Sequence, residues 1–254
     1  MKVSVIVFDL DGTLYIGEKA VCGAVETVNT LIKHKYQIFY LTNNSGKTRL
    51  QIVQKLDKMG FRANINKVYC GSYAIAIYLA GNKITPVYMI GTDGLKMELM
   101  AHSIKVENNS NASAVVVGID PFFSYEKIVT AFQTIDKGAK LIVANTDASY
   151  PVENNCRLVG CGAMVAAIVA ATGRTPDFHV GKPNTYMLAL LCREHGLTPE
   201  EICVVGDMPE SDIQMAVNFG CQSILFDPGN IFPEFTGRKA EKFKQIISLI
   251  KKGG

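Results

Sequence analysis

The sequence predicts an α/β fold, with a Rossmann-like core of parallel strands and a smaller α/β cap domain inserted into that core. Short runs rich in β-branched and aromatic residues recur along the 254 residues, and stretches with helical periodicity lie between most of them. The runs are continuously apolar rather than alternating, which is typical of parallel strands that are buried on both faces.

The predicted elements follow one another along the chain. Seven runs predict strands, in the order SVIVF, YQIFYL, PVYMI, SAVVVG, KLIVAN, EICVVG and QSILF. Stretches between them predict helices: AVETVNTLIKH, RLQIVQKLDKMG, GLKMELMAHS, YEKIVTAFQTIDKG, MLALLCREHG and DIQMAVNFG. Glycines fit the left-handed residue that ends a helix at Gly60, Gly138, Gly196 and Gly220. The stretch GLTPEEI has the capping-box pattern of a helix start.

The number of βα units and the polarity of the middle of the chain predict two domains. There are more βα units than one small sheet needs, and the polar stretches KVENNSNAS and NTDASYPVENN lie in the middle. We therefore expect residues 1–80 and 180–254 to form the core and residues 81–179 to form the inserted α/β cap domain.

The composition excludes several classes of function. The net charge is only +3 and the basic residues are spread out, so we expect no nucleic-acid binding. No apolar stretch reaches about 18 residues and no secretory signal pattern begins the chain, so we expect no membrane span. The seven cysteines are scattered without a CxxC pair, which fits reduced core residues in a cytoplasmic protein.

Two aspartates, Asp9 and Asp11, follow the first predicted strand, and Gly12 and Thr13 then turn the chain. Side chains two residues apart on a strand point to the same side, so both carboxylates project at the edge where parallel sheets bind ligands. Such carboxylates repel each other unless a cation or a shared proton intervenes, and oxygen-only ligands suit Mg²⁺. The alternative is an exposed turn whose aspartates cap the next helix.

The second predicted strand ends in LTNNSG. Thr42 and Asn43 bring a hydroxyl and an amide to the same crevice, and a helix that follows Ser45 would add its N-terminal dipole. We therefore predict an anion site here. The alternative is ordinary N-capping by Thr42 or Ser45.

Three charged residues in the last third of the chain complete the candidate site. Lys182 lies between a glycine and a proline at a predicted helix start, where a cation is disfavoured unless an anion is bound. Asp207 ends a third apolar strand and repeats the placement of Asp9. Asp212 follows at a predicted helix start, where N-capping is the alternative role.

The stretch VGCGAMVAA is superficially similar to a dinucleotide-binding fingerprint. Val165 stands where the third small residue is required, and no ribose-binding acid follows at the expected distance. We interpret Gly160 and Gly162 as a tight turn into an apolar helix, which excludes a dehydrogenase.

Taken together, the motifs DLDGT, LTNNS, GKP and GDMPESD resemble, in the same order, the four motifs of haloacid-dehalogenase-superfamily phosphatases. The resemblance extends over the whole chain. The large insert, with its segments ANTDASYP and CGAMVAAI, is similar to the cap of the NagD-like, nitrophenyl-phosphatase-type branch. The residues Met208, Pro209 and Glu210 replace a more polar loop that is common in this branch, which leaves the leaving-group preference open.

The resemblance implies a catalytic role for each motif. Asp9 would be the nucleophile, and Asp11 would protonate the leaving oxygen and then activate water. The phosphoryl group would be bound by Thr42, Asn43 and Lys182.

The resemblance also implies a metal site and a specificity loop. Mg²⁺ would be bound by Asp9, by the main-chain carbonyl of Asp11 and by Asp207, with Asp212 in support. A loop of the cap that contains Asn145 and Asp147 would select the substrate.

We therefore expect a Mg²⁺-dependent phosphatase that hydrolyses small phosphomonoesters, such as sugar phosphates or nucleoside monophosphates, through an aspartyl-phosphate intermediate. A phosphomutase on the same core and a non-enzymatic phosphometabolite-binding protein are the alternatives. The expected partner is a small phosphorylated metabolite, and the resemblance implies a homodimer formed through the cap.

Overall fold

A computed structural model describes residues 3–152 and 156–251. Its strands are β1 (Val5–Phe8), β2 (Tyr15–Ile16), β3 (Lys19–Ala20), β4 (Gln37–Thr42), β5 (Val68–Cys70), β6 (Val87–Ile90), β7 (Val106–Glu107), β8 (Ala114–Val117), β9 (Lys140–Val143), β10 (Ser149–Pro151), β11 (Arg157–Val159), β12 (Phe178–His179), β13 (Ile202–Gly206), β14 (Gln222–Phe226) and β15 (Lys239–Ala240). Its α-helices are α1 (Ala24–Lys33), α2 (Arg49–Lys58), α3 (Gly71–Gly81), α4 (Asp93–Ala101), α5 (Tyr125–Asp136), α6 (Cys161–Thr172), α7 (Tyr186–His195), α8 (Gln214–Phe219) and α9 (Phe243–Lys251).

The core is a six-stranded sheet in the order β15-β14-β13-β1-β4-β5, and every neighbouring pair is parallel. The side chains of β1 and β13 are fully buried, which explains why these strands are apolar at every position. β1 lies between β4 and β13, so the strands that carry the first, second and fourth motifs are neighbours. The predicted α/β class with a parallel core is confirmed.

The inserted part forms a second parallel sheet, in the order β12-β9-β8-β6-β7. We call this part the cap. An antiparallel hairpin, β10–β11, leads from this sheet into α6. We keep the predicted boundaries, 1–80 with 180–254 and 81–179, as a proposal for the two folding units.

Several local predictions differ from the structure. β5 and α3 were not predicted, and GLTPEEI forms a single 3₁₀ turn, Pro199–Glu201, with the capping box in place but with a strand directly after it. The helix after the second motif is α2, which is capped by Thr48 rather than by Thr42 or Ser45. Within the described ranges, no helix combines the length and the apolar character that a membrane span requires.

Candidate active site

Asp9 lies directly after β1, at the carboxyl edge of the core sheet. Its N–H donates to the carbonyl of Val205 at 2.8 Å, which continues the pairing with β13, and the residue is only 5% exposed. The nearest following helix, α1, begins at Ala24 after Gly23, so neither Asp9 nor Asp11 caps it. The exposed-turn alternative therefore does not describe Asp9.

Asp207 and Asp212 reach the same edge from the end of β13. A π-helical turn, Pro209–Ile213, bends the chain so that Asp212 Oδ2 accepts the N–H of Met208 at 3.1 Å. A Cβ atom on Gly206 would lie 2.3 Å from the Asp212 side chain, so only glycine permits this approach. Asp212 is 1% exposed and lies within the turn rather than at a helix N-cap.

The carboxylates of Asp9, Asp207 and Asp212 form a cluster in which one oxygen from each lies within 4.8 Å of the other two. Burial raises the pKa of Asp9 well above its usual value, and Asp212 and Asp207 add to this effect. Burial, followed by the charge of Asp212, raises the pKa of Asp207 to about 6. Because oxygen-only donors suit Mg²⁺ and a cation relieves their mutual repulsion, the donor set fits such an ion.

Lys182 brings the third motif into this cluster. Its ammonium donates to Asp212 Oδ1 at 2.6 Å and to Asp9 Oδ1, and the residue is 5% exposed. Burial opposes the charged form, but Asp212 and Asp9 outweigh burial and raise the pKa of Lys182. The lysine is therefore a buried cation, not a solvated surface charge.

Asp11 and Thr42 face each other beside the cluster. The hydroxyl of Thr42 donates to Asp11 Oδ2 at 3.4 Å, and the hydroxyl of Tyr15 donates to the same oxygen at 3.3 Å. The Asp11 carboxylate does not belong to the three-carboxylate cluster. Its side chain is thus held apart from that of Asp9 by two hydroxyl groups.

Asn43 faces the cap rather than the carboxylates. Its Nδ2 donates to Asp147 Oδ2 at 2.9 Å and to the carbonyl of Lys182 at 3.3 Å. Its Oδ1 accepts the N–H of Lys182 at 2.8 Å, and its carbonyl accepts Asn145 Nδ2 at 2.9 Å. The side chain predicted to bind phosphate is therefore engaged with Lys182 and with the cap loop.

Sequence reasoning missed three features of this region. The Thr13 hydroxyl lies 3.0 Å from Asp207 Oδ1 and 3.3 Å from Asp9 Oδ2, yet the sequence indicated only a turn. Tyr15 was not singled out. Gly160 and Gly162, interpreted as a simple turn, pack against the loop that contains Asp147, where each added Cβ would lie 2.2 Å from a main-chain oxygen.

Comparisons with known proteins identify the family of the chain. Residues 6–105 match the family described as haloacid dehalogenase-like hydrolase, and residues 179–248 match the family described as HAD-hydrolase-like. The first match extends to residue 105, inside the part called the cap, and the second begins at residue 179.

Relatives match nearly the whole chain. It is 35% identical to an acid sugar phosphatase of Staphylococcus epidermidis, over 87% of this chain and 85% of the relative. It resembles a NagD-type structure with a TM-score of 0.90 and 27% identity, covering 96% of this chain and 97% of that one. A 4-nitrophenylphosphatase of Thermotoga maritima gives a TM-score of 0.90 at 26% identity, covering 98% and 97% of the two chains. The chain therefore belongs to the haloacid dehalogenase-like hydrolases, and it is a phosphatase of the NagD-like type.

Proposed function

We propose that this phosphatase uses Mg²⁺ to hydrolyse phosphomonoesters of small metabolites through an aspartyl-phosphate on Asp9. The observation that carries the proposal is the buried carboxylate cluster of Asp9, Asp207 and Asp212, with the ammonium of Lys182 beside it. One ammonium does not balance three carboxylates, so this arrangement favours a second cation.

The metal would be held by Asp9, Asp207 and the main-chain carbonyl of Asp11, with Asp212 as a support. When bound, Mg²⁺ supplies positive charge between the carboxylate and the phosphate, which otherwise repel each other. Asp212 also accepts hydrogen bonds from Lys182 and Met208, which suits a supporting role.

The side chains of the chain carry out the two steps. An oxygen of Asp9 forms a bond to phosphorus, and the ester oxygen leaves with a proton that Asp11 donates. Asp11 then accepts a proton from a water molecule that attacks the phosphorus, and free phosphate leaves as Asp9 is regenerated. Lys182 and Thr42 stabilise the negative charge on the phosphoryl oxygens in both steps.

The position of the cap loop supports small substrates. Asn145 and Asp147 bond to Asn43, so the cap approaches the end of β4 and leaves little room for a folded protein. The acid sugar phosphatases among the relatives support sugar phosphates as one group to test first.

A paired experiment with 4-nitrophenyl phosphate tests the covalent route. We expect Asp9→Asn to abolish phosphate release while its circular dichroism stays unchanged. We expect Asp11→Asn, which lacks the base for the second step, to accumulate a phosphoryl adduct that intact-mass spectrometry detects, because 4-nitrophenolate leaves without the proton that Asp11 donates to poorer leaving groups. Substantial turnover by Asp9→Asn, or an adduct on a residue other than Asp9, would contradict the mechanism.

Removal of the metal tests the cofactor separately. We expect EDTA to abolish phosphate release and added Mg²⁺ to restore it, because the attack by Asp9 needs the added positive charge. Unchanged activity after exhaustive EDTA treatment would contradict the proposed ion.

We also propose a cytoplasmic homodimer formed through the cap. Phe122 and Tyr125 of the cap are 83% and 75% exposed, which suits an apolar contact. Analytical ultracentrifugation of the wild type and of Phe122→Asp measures the assembly, and a monomeric wild type would contradict it.

A further inference from the structure

The side chain of Asn43 forms a bridge between Lys182 and the cap loop. Its oxygen accepts the main-chain N–H of Lys182 at 2.8 Å, and its nitrogen donates to the carbonyl of the same residue at 3.3 Å. The amide therefore holds the lysine's main chain through both of its hydrogen-bonding groups. The remaining N–H of Nδ2 donates to Asp147 Oδ2 at 2.9 Å.

The main chain packs tightly around this bridge at Gly181. A Cβ atom on Gly181 would lie 2.5 Å from the carbonyl oxygen of Ala144, 2.7 Å from Asn43 Oδ1 and 2.8 Å from the Asn145 side chain. The chain therefore reaches Lys182 by passing between Asn43 and the cap loop without space for a side chain. A displacement of the loop would push directly on the segment that carries the lysine.

The cap loop is itself fixed to the same residue. Asn145 is 6% exposed and donates through Nδ2 to the carbonyl of Asn43 at 2.9 Å, while its Oδ1 accepts the N–H of Asp147 at 3.1 Å. Asn43 thus contacts Lys182, Asn145 and Asp147 at once, and both N–H groups and the oxygen of its amide are already used.

We infer that Asn43 is a positioning residue, which couples the substrate-facing loop of the cap to Lys182, rather than a side-chain ligand of phosphate. The inference rests on the proposed role of Lys182 in charge stabilisation. When the cap loop is seated, the hydrogen bond to Asp147 orients the amide, and the amide holds the lysine's main chain so that its ammonium reaches the reacting oxygens. Substrate contacts at the loop thereby affect the catalytic rate as well as affinity.

Reversal of hydrogen-bond polarity provides the test. Asn43→Asp keeps an acceptor for the N–H of Lys182 but sets two carboxylates against each other at the bridge, so we expect kcat to fall at least about tenfold. Asp147→Asn retains an amide oxygen that accepts from Asn43, so we expect its kcat to fall less than that of Asn43→Asp. We expect the double variant Asn43→Asp/Asp147→Asn to regain part of the lost kcat, because the amide introduced at position 147 donates to the carboxylate introduced at position 43, whereas the bond to the Lys182 carbonyl stays lost.

Asn44→Asp is the matched control. Asn44 makes a local turn, in which its Oδ1 accepts the N–H groups of Gly46 and Lys47 at 2.9 and 3.1 Å, and a carboxylate keeps those bonds. The Asn44→Asp substitution introduces the same negative charge one residue away from the bridge, and we expect kcat within about threefold of the wild type. Melting temperatures of all variants separate loss of folding from loss of rate.

The outcomes distinguish the inference from the proposed function. Rescue in the double variant, with similar melting temperatures, supports the bridge. The coupling role of Asn43 is wrong if the losses of kcat in the two single variants simply add in the double variant. It is also wrong if kcat of Asn44→Asp falls as far as that of Asn43→Asp. In either case the wild type still hydrolyses phosphomonoesters, so the proposed function stands. If Lys182→Met retains wild-type kcat, the proposed role of the lysine itself is wrong.

Discussion

Replacement of Lys182 by methionine tests the electrostatic basis of the site, because it removes the buried cation and keeps a side chain of similar length. The ammonium lies 2.6 Å from Asp212 Oδ1 and contacts Asp9, and all three residues are at most 5% exposed. Removing one partner of a buried ion pair costs about 3–5 kcal/mol. For a chain of this size, that corresponds to a fall in Tm of roughly 6–20 °C.

In metal-free protein, we expect the loss of stability in Lys182→Met to lie near the lower end of the range of about 3–5 kcal/mol. Burial already raises the pKa of Asp9, and loss of the cationic partner raises this pKa further, which favours the uncharged carboxyl in the variant. Mg²⁺ should restore part of the stability, by about 2.7 kcal/mol at a hundredfold excess over Kd. The rise in Tm on adding Mg²⁺ should be larger in Lys182→Met than in the wild type, because the variant has lost its own positive charge.

The assay combines thermal melts in EDTA and in Mg²⁺ with phosphate release. We expect kcat of Lys182→Met to fall by about 10²–10³, the loss typical of one charge-stabilising donor. Lys127→Met is the control, because Lys127 pairs with Asp120, another buried aspartate, within the cap, and it should lose stability while kcat stays within about threefold. An unchanged Tm of Lys182→Met in EDTA, or wild-type phosphate release, would refute the reasoning.

Two further predictions concern Gly206 in the candidate site and His179 on β12. Gly206→Ala places a Cβ atom 2.3 Å from the Asp212 side chain, so we expect the free energy of unfolding to fall by about 1–3 kcal/mol and kcat/KM to fall at least about tenfold. Gly81→Ala is the control, because the new atom has open space around it, and it should match the wild type. Equal behaviour of the two variants would contradict this prediction. Burial lowers the pKa of His179, so between this lowered pKa and about pH 6.5 the unfolded chain binds more protons than the folded one, and stability falls as the pH is lowered through this range. His179→Gln should flatten the decline in Tm between about pH 7 and pH 5, and parallel curves would count against the assignment.

The sequence predicted the core strands because burial on both faces makes them apolar at every position, as in β1 and β13. Hydrophobic periodicity did not predict α3, because seven of its residues are buried and the apolar side chains surround the helix instead of forming one stripe. β5 is only three residues long, too short for a pattern.

The charged groups of the candidate site could be predicted because carboxylates at the ends of apolar strands are conspicuous. The partners of Asn43 could not, since Lys182 and Asp147 are 139 and 104 residues away along the chain. The role of Thr13 was hidden for the same reason, because its hydroxyl bonds to Asp207 across 194 residues. Such contacts depend on tertiary packing, which local periodicity does not encode.

The position of β1 between β4 and β13 has a consequence for synthesis of the protein. As the ribosome releases the polypeptide, β4 emerges soon after β1, but the strand that covers the other edge begins only at Ile202. Until then, the nascent chain carries an apolar strand with one open hydrogen-bonding edge, which invites pairing with other chains. Truncation before Ile202 should therefore yield aggregates rather than a smaller folded fragment.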